Sequence, residues 1–124
     1  MKTPEDICPD FIEWPERWAG LPEYIPHGQA IIEVMRPFIQ YLIEKGRAVR
    51  TIRRHMDNLW LLGGEIIHNI GYGYIEGSDP PPAEQLMRSI GSDGGPLCRH
   101  CHSDAEQESF DATCRQLHRF LAGG

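Results

Sequence analysis

Between Phe38 and Ile70 apolar side chains recur at three- and four-residue steps, the spacing of helices that bury one face. Phe38, Ile39, Leu42 and Ile43 make one broad apolar face. Ile52, Met56, Leu59, Trp60, Leu62, Ile66, Ile67 and Ile70 make a second, with Arg50, Arg53, Arg54, Asp57 and Glu65 on the opposite side. Gly46 lies between the two stripes and follows Lys45. A glycine free to adopt positive φ just past a cationic last turn predicts a helix stop there. Two amphipathic helices joined by so short a turn are expected to meet face to face as an antiparallel hairpin.

The same reading extends in both directions. Upstream, Ala30, Ile31, Ile32, Val34 and Met35 predict a helix from near Gly28 that meets Pro37 and continues as one kinked element. Residues 1–27 hold Pro4, Pro9, Pro15, Pro22 and Pro26 together with Phe11, Trp14, Trp18 and Tyr24. That proline density forbids a long helix, and the tryptophans argue against a disordered tail. An ordered arm is expected whose aromatics plug onto the helical body, with a short helix over about 15–19; the sharper alternative is that Trp14 and Trp18 form an exposed aromatic binding surface. Downstream, GYGYIEGSDPPP reads as a surface connector. A short helix then opens at Pro81 or Pro82 and runs to Ile90, burying Leu86, Met87 and Ile90. After a second loop, Ser103 and Glu106 have the form of a capping box, and Phe110, Cys114, Leu117 and Leu121 form the stripe of a packed last helix. The fold expected is an all-α single domain over residues 1–124, a compact bundle of four to five helices. It comprises an aromatic and proline-rich arm (1–27), a core helical hairpin (28–70) and two C-terminal helices (81–122).

A chain of 124 residues with 40% hydrophobic content can build one real core, which disfavours wholesale disorder. The net charge of −6 repels polyanions at long range, so any nucleic-acid contact must be local. No apolar run reaches the roughly 18–20 residues that span a bilayer, and the N-terminus lacks the apolar core of a signal peptide. No membrane association is expected and the cytoplasm is the expected location. In that reducing compartment Cys8, Cys98, Cys101 and Cys114 read as thiols or metal ligands before disulfides.

Chemistry-bearing patterns are few. Cys98-x2-Cys101, twelve residues, then Cys114-x3-His118 has the spacing of a zinc finger in which one histidine is replaced by cysteine. The segment between the pairs reads as helix from Ser103 rather than as the finger's own small fold. The expectation is therefore buried or incidental thiols, with no cofactor, and a structural zinc on Cys98, Cys101, Cys114 and His118 as the alternative. Glu65-x-x-His68 has the form used in di-iron bundles, but there is no second copy to face it, and a solvated helix face is the plainer expectation. No nucleophile motif, phosphate loop or dinucleotide fingerprint is present, so no catalytic residue is assigned and an enzyme is not expected.

The basic cluster carries the most functional content. Lys45, Arg47, Arg50, Arg53 and Arg54 are five of the twelve lysines and arginines, within ten residues. At helical spacing Arg47, Arg50 and Arg54 share a face with Arg53 beside them, an arrangement suited to phosphate oxygens or base edges. The plainer alternative is pairing with Glu44 and Asp57, which would only solubilise the hairpin. The stretch PFIQYLIEKGRAVRTIRRHMDNLWLLG, with Gly46, Thr51, Ile52 and Leu59 in place, resembles the SAM-like core-binding domain that precedes the catalytic domain of tyrosine recombinases and phage integrases. The resemblance spans about residues 31–70 and implies that Arg50, Arg53 and Arg54 approach DNA. The recombinase catalytic arginine, His-x-x-Arg and tyrosine have no counterpart in this chain, His55 stands where that family often has an aromatic, and Gly63-Gly64 interrupts the second helix. The function expected is a small non-enzymatic DNA-binding or DNA-associated accessory module contacting phosphate through Arg47, Arg50, Arg53 and Arg54. The alternative is a protein–protein interaction module of unknown partner that uses the aromatic N-terminal arm or an exposed part of the long helix, with those arginines only solubilising the protein or engaging an acidic partner.

Overall fold

A computed structural model of the protein describes residues 2–71 and 81–123. In chain order it forms α1 (Pro4–Ile7), a 3-10 turn (Pro9–Glu13), α2 (Trp14–Ala19), a second 3-10 turn (Pro22–Tyr24), α3 (Ile25–Glu44), α4 (Val49–Gly71), α5 (Pro82–Ser89) and α6 (Asp104–Leu121). Among the described residues the one β-type pairing is an isolated bridge between Gly91 and Gly94. The expected all-α bundle with an ordered aromatic arm is what the chain forms. Most of the connector GYGYIEGSDPPP lies outside the described residues.

Proline punctuates the arm. Pro4, Pro9, Pro15, Pro22 and Pro26 each occupy one of the first two positions of a helical element, where the missing N–H has no partner to lose. The arm is thus a run of short turns, and the first of them is fixed by a reciprocal capping box between Thr3 and Asp6. Arg36 ties α1 to α3 by pairing with Glu5, while its guanidinium lies 5.1 Å from the Phe11 ring centroid. Pro37 sits inside a single helix α3 that begins at Ile25, three residues before the expected start.

α3 ends as expected. Gly46 adopts φ 74°, its N–H bonds the Ile43 carbonyl at 3.0 Å, and the N–H of Arg47 bonds the Leu42 carbonyl at 3.2 Å. This pair of bonds is a Schellman stop, and it turns the chain directly into α4. Phe38, Ile39 and Leu42 from α3, Ile52, Met56, Leu59, Leu62 and Ile66 from α4, and Phe110, Cys114 and Leu117 from α6 share one core with Phe11 and Trp14 of the arm.

The aromatics of the arm are core residues rather than an exposed binding surface: Trp14 is buried and Trp18 is half-buried against the core. Trp14, Trp18 and Trp60 lie within 5.7 Å of one another, centroid to centroid. The indole N–H of Trp18 donates to the Trp60 carbonyl at 3.0 Å. Gly63 makes room for this arrangement, since a Cβ there would stand 2.3 Å from the six-membered ring of Trp18. The glycine pair in α4 is therefore a seat for an indole.

Three expectations are corrected. Met87 is exposed, because the eight-residue α5 turns Leu86 inward and Ile90 follows one helical turn later, while Met87 falls off that face. Glu65, assigned to a solvated face with His68, is buried: its carboxylate accepts the backbone N–H of Arg99 at 3.1 Å and pairs with the Arg99 guanidinium at 3.0 Å. Arg99 also donates to His68 Nδ1 at 3.0 Å, so the E-x-x-H pattern serves as a receptor for one arginine from the loop before α6. At the start of α6, Ser103 caps the helix by accepting from the N–H of Glu106, but the Glu106 carboxylate bonds the N–H of His102 instead of returning to Ser103.

The same loop holds two cysteines of the zinc-like spacing. Cys98 and Cys114 are buried, Cys101 is half-buried, and burial pushes the Cys101 and Cys114 thiols up to about 12, helped at Cys101 by its hydrogen bond with Cys98. The loop is held to α6 by other groups: Gln107 Oε1 accepts from the N–H of Cys98 at 3.0 Å, and Asp111 accepts from the N–H of Gly95 at 3.1 Å. Among the described residues no three His, Cys, Asp or Glu side chains group in a way that could hold a metal ion. The spacing Cys98, Cys101, Cys114, His118 does not assemble there as a ligand set.

Candidate nucleic-acid interface

The basic cluster occupies the turn before α4 and its first two turns, and Arg47, Arg50, Arg53 and Arg54 are all exposed. This is the wrong end of a helix for cations. The partial positive charge of the N-terminus repels them, and the first turn of α4 contains no acidic residue to compensate. Neither Glu44 nor Asp57 neutralises the group by direct pairing: among the described residues none of the four arginines is in an ion pair. Arg53 differs from the others, because its Nε donates to the Ile7 carbonyl at 3.3 Å and fastens α4 to the arm.

Folding adds cations that the local reading did not include. Arg115 and Arg119, one turn apart on α6, come to the same cleft as Arg47 and Arg54, a space of about 580 Å³ floored by Thr51, His55, Ala112 and Gln116. Among the described residues no carboxylate lines it. Arg115 is steadied by Glu108 at 3.0 Å and by the Asp93 carbonyl at 3.4 Å, whereas Arg119 is exposed and in no ion pair among the described residues. On the other side of Arg54 a broader open cleft of about 760 Å³ is lined by Val49, Arg50, Thr51, Arg53, Arg54 and Asp57. Toward α3 the four-arginine cleft adjoins a small notch bearing Tyr41 and Phe120 beside Arg47 and Arg119. The i, i+4 arginine pair on α6 was visible in the sequence, but nothing local placed it against α4.

Beneath the cleft a polar network joins α4 to α6. The Thr113 hydroxyl accepts from Asn58 Nδ2 at 2.8 Å and meets His55 Nδ1 at 2.8 Å, and Asn58 Nδ2 also bonds the Ser109 carbonyl at 3.1 Å. Burial lowers the His55 pKa to about 4, with Arg54 and Arg47 pushing in the same direction. The imidazole is thus neutral near pH 7, and the arginines create a local positive potential strong enough to oppose its protonation.

This arrangement gives a pH dependence with a definite sign. The unfolded chain protonates His55 near the ordinary 6.5 while the folded chain resists until about 4, so acid favours unfolding. The stabilisation is fully present above about pH 6.5 and is lost as pH falls toward 4, with a slope approaching ~1.4 kcal/mol per pH unit. The lowered carboxylates Glu5, Asp6 and Asp10 act in the same direction as the pH falls past their ordinary values, and Asp57, whose carboxyl burial raises, acts against it. Urea midpoints at about pH 7.5 and about pH 5 should differ clearly for the native sequence and much less for His55→Gln; equal shifts in both would remove His55 as the cause.

No helix among the described residues is long and apolar enough to cross a membrane. Comparison with protein-family models, curated proteins and solved structures finds no match to this chain.

Proposed function

We propose that the chain is a small non-enzymatic DNA-binding or DNA-associated module that holds backbone phosphates in the cleft between the start of α4 and the end of α6. The observation that carries this reading is the convergence of Arg47, Arg54, Arg115 and Arg119 on one cleft that no carboxylate of the described residues lines. Gathering exposed guanidiniums at a helix N-terminus opposes folding by their mutual repulsion and by the helix dipole, and a bound polyanion relieves both. Guanidinium forks suit phosphate oxygens, and Arg50 and Arg53 extend the basic surface along the neighbouring cleft. The resemblance of residues 31–70 to the integrase core-binding domain implies that Arg50, Arg53 and Arg54 approach DNA, which would bring in the neighbouring cleft and meets the four-arginine cleft only at Arg54. The net charge of −6 limits the attraction to short range, so binding is local and strongly salt-dependent.

Fluorescence anisotropy of labelled DNA, in single- and double-stranded form, at about 50 and about 200 mM salt tests this directly. Engagement of three or four phosphates gives a slope of log affinity against log salt of roughly −2 to −4. Arg54→Glu/Arg119→Glu, verified as folded by circular dichroism, should abolish binding, while Arg53→Ala should weaken it less because that side chain is already tied to Ile7. Absence of binding to either form at low salt overturns the proposal and directs the search to an acidic protein partner.

A further inference from the structure

Beside the four-arginine cleft lies a small notch with an aromatic wall. Tyr41 from α3 and Phe120 from α6 are both half-buried, with ring centroids 5.1 Å apart and planes inclined at 46°. They share their notch with Arg47 and Arg119, which also line the cationic cleft, so the aromatic and cationic surfaces are continuous. Lys45, exposed in the turn after α3, places its ammonium 5.5 Å from the Tyr41 ring centroid and adds a cation at this edge. Phe120 is backed by Phe38 at 5.7 Å, which fixes one wall of the notch.

Phosphate contacts alone accept duplex and single strand alike. An aromatic face at the edge of a phosphate cleft can stack on a base only where that base is unpaired and turned outward, which paired DNA does not offer. Resting on the phosphate-binding reading above, we infer that the ligand is single-stranded nucleic acid, with phosphates on Arg47, Arg54, Arg115 and Arg119 and an unpaired base against Tyr41 and Phe120. Lys45 is long and flexible enough to leave the Tyr41 ring when a base arrives and to meet the adjacent phosphate.

The test compares a labelled oligothymidine with a duplex of the same length by anisotropy, using the full chain. The expected result is at least about tenfold tighter binding of the single strand, and a loss of about fivefold or more on Tyr41→Leu at an unchanged salt slope, because stacking is lost while phosphate contacts remain. Phe120 touches the core, so Tyr41→Leu is the diagnostic variant, and the wild-type preference needs no variant at all. Equal or tighter binding of the duplex, or full single-strand affinity in a folded Tyr41→Leu, overturns this inference and leaves the phosphate cleft standing. Binding of neither form overturns both.

Discussion

Alanine at Gly63 should destabilise the protein by about 2 kcal/mol or more, the reverse of what helix propensity predicts. Glycine inside a helix is ordinarily about 1 kcal/mol worse than alanine, so an exposed Gly→Ala exchange in α4 would stabilise it. At Gly63 the new methyl would stand 2.3 Å from two ring atoms of Trp18. Moving the indole aside would disturb its packing on Trp14 and Trp60 and the bond from its N–H to the Trp60 carbonyl. Overpacking of this kind costs about 1–3 kcal/mol, occasionally more, and outweighs the propensity gain. Gly64 is the internal control. A Cβ there meets Trp18 at 3.6 Å, an ordinary contact, so Gly64→Ala should be neutral or slightly stabilising. Urea unfolding followed by far-UV circular dichroism separates the two, and Trp18→Phe should rescue much of the Gly63→Ala loss in a double-mutant cycle. A stabilising Gly63→Ala would mean that Trp18 is not seated over that glycine.

The second large effect belongs to Arg99. Its removal as Arg99→Ala leaves the Glu65 carboxylate buried with, among the described residues, the backbone N–H of residue 99 as its one remaining hydrogen-bond donor. Breaking a buried pair from one side costs about 3–5 kcal/mol; because water reaches the Arg99 guanidinium, about 2–4 kcal/mol is expected. Glu65→Gln keeps an acceptor for that backbone N–H and should cost less. Replacing both residues by methionine should recover part of the Arg99→Ala loss, since no charge is then stranded. The midpoint of chemical unfolding measures all three, and a loss below about 0.5 kcal/mol for Arg99→Ala would assign the pair to the exposed, weak class of ion pairs.

These two sites also mark where local reading stops. The glycine pair in α4 was recognisable as an interruption of the helix, but the group it accommodates is Trp18, more than forty residues earlier in a proline-broken arm. Glu65 fell on the polar side of the α4 stripe because a helical period assigns a carboxylate to solvent. Arg99, which makes its burial tolerable, comes from a loop with no periodicity of its own. Met87 shows the converse error, an apolar residue in a helix too short for its neighbour's face to be inferred. The basic cluster was legible because its arginines are adjacent in the chain. Its completion by Arg115 and Arg119 was not, since the approach of α6 to α4 depends on core packing through Phe110, Cys114 and Leu117 and on the Thr113, Asn58 and His55 network.

By itself, the sequence determined what depends on near neighbours. The 3.6-residue period of apolar positions set α3, α4 and α6, proline at helix starts divided the arm, and Gly46 stopped α3 in a left-handed conformation. Only the tertiary structure decided which faces meet: an indole over Gly63, an arginine against a buried Glu65, and two helices' arginines on one cleft. The physical reason is range. Helix periodicity and capping act over about four residues, whereas packing and charge pairing join groups whose separation along the chain is set by loops that carry no record of their destination.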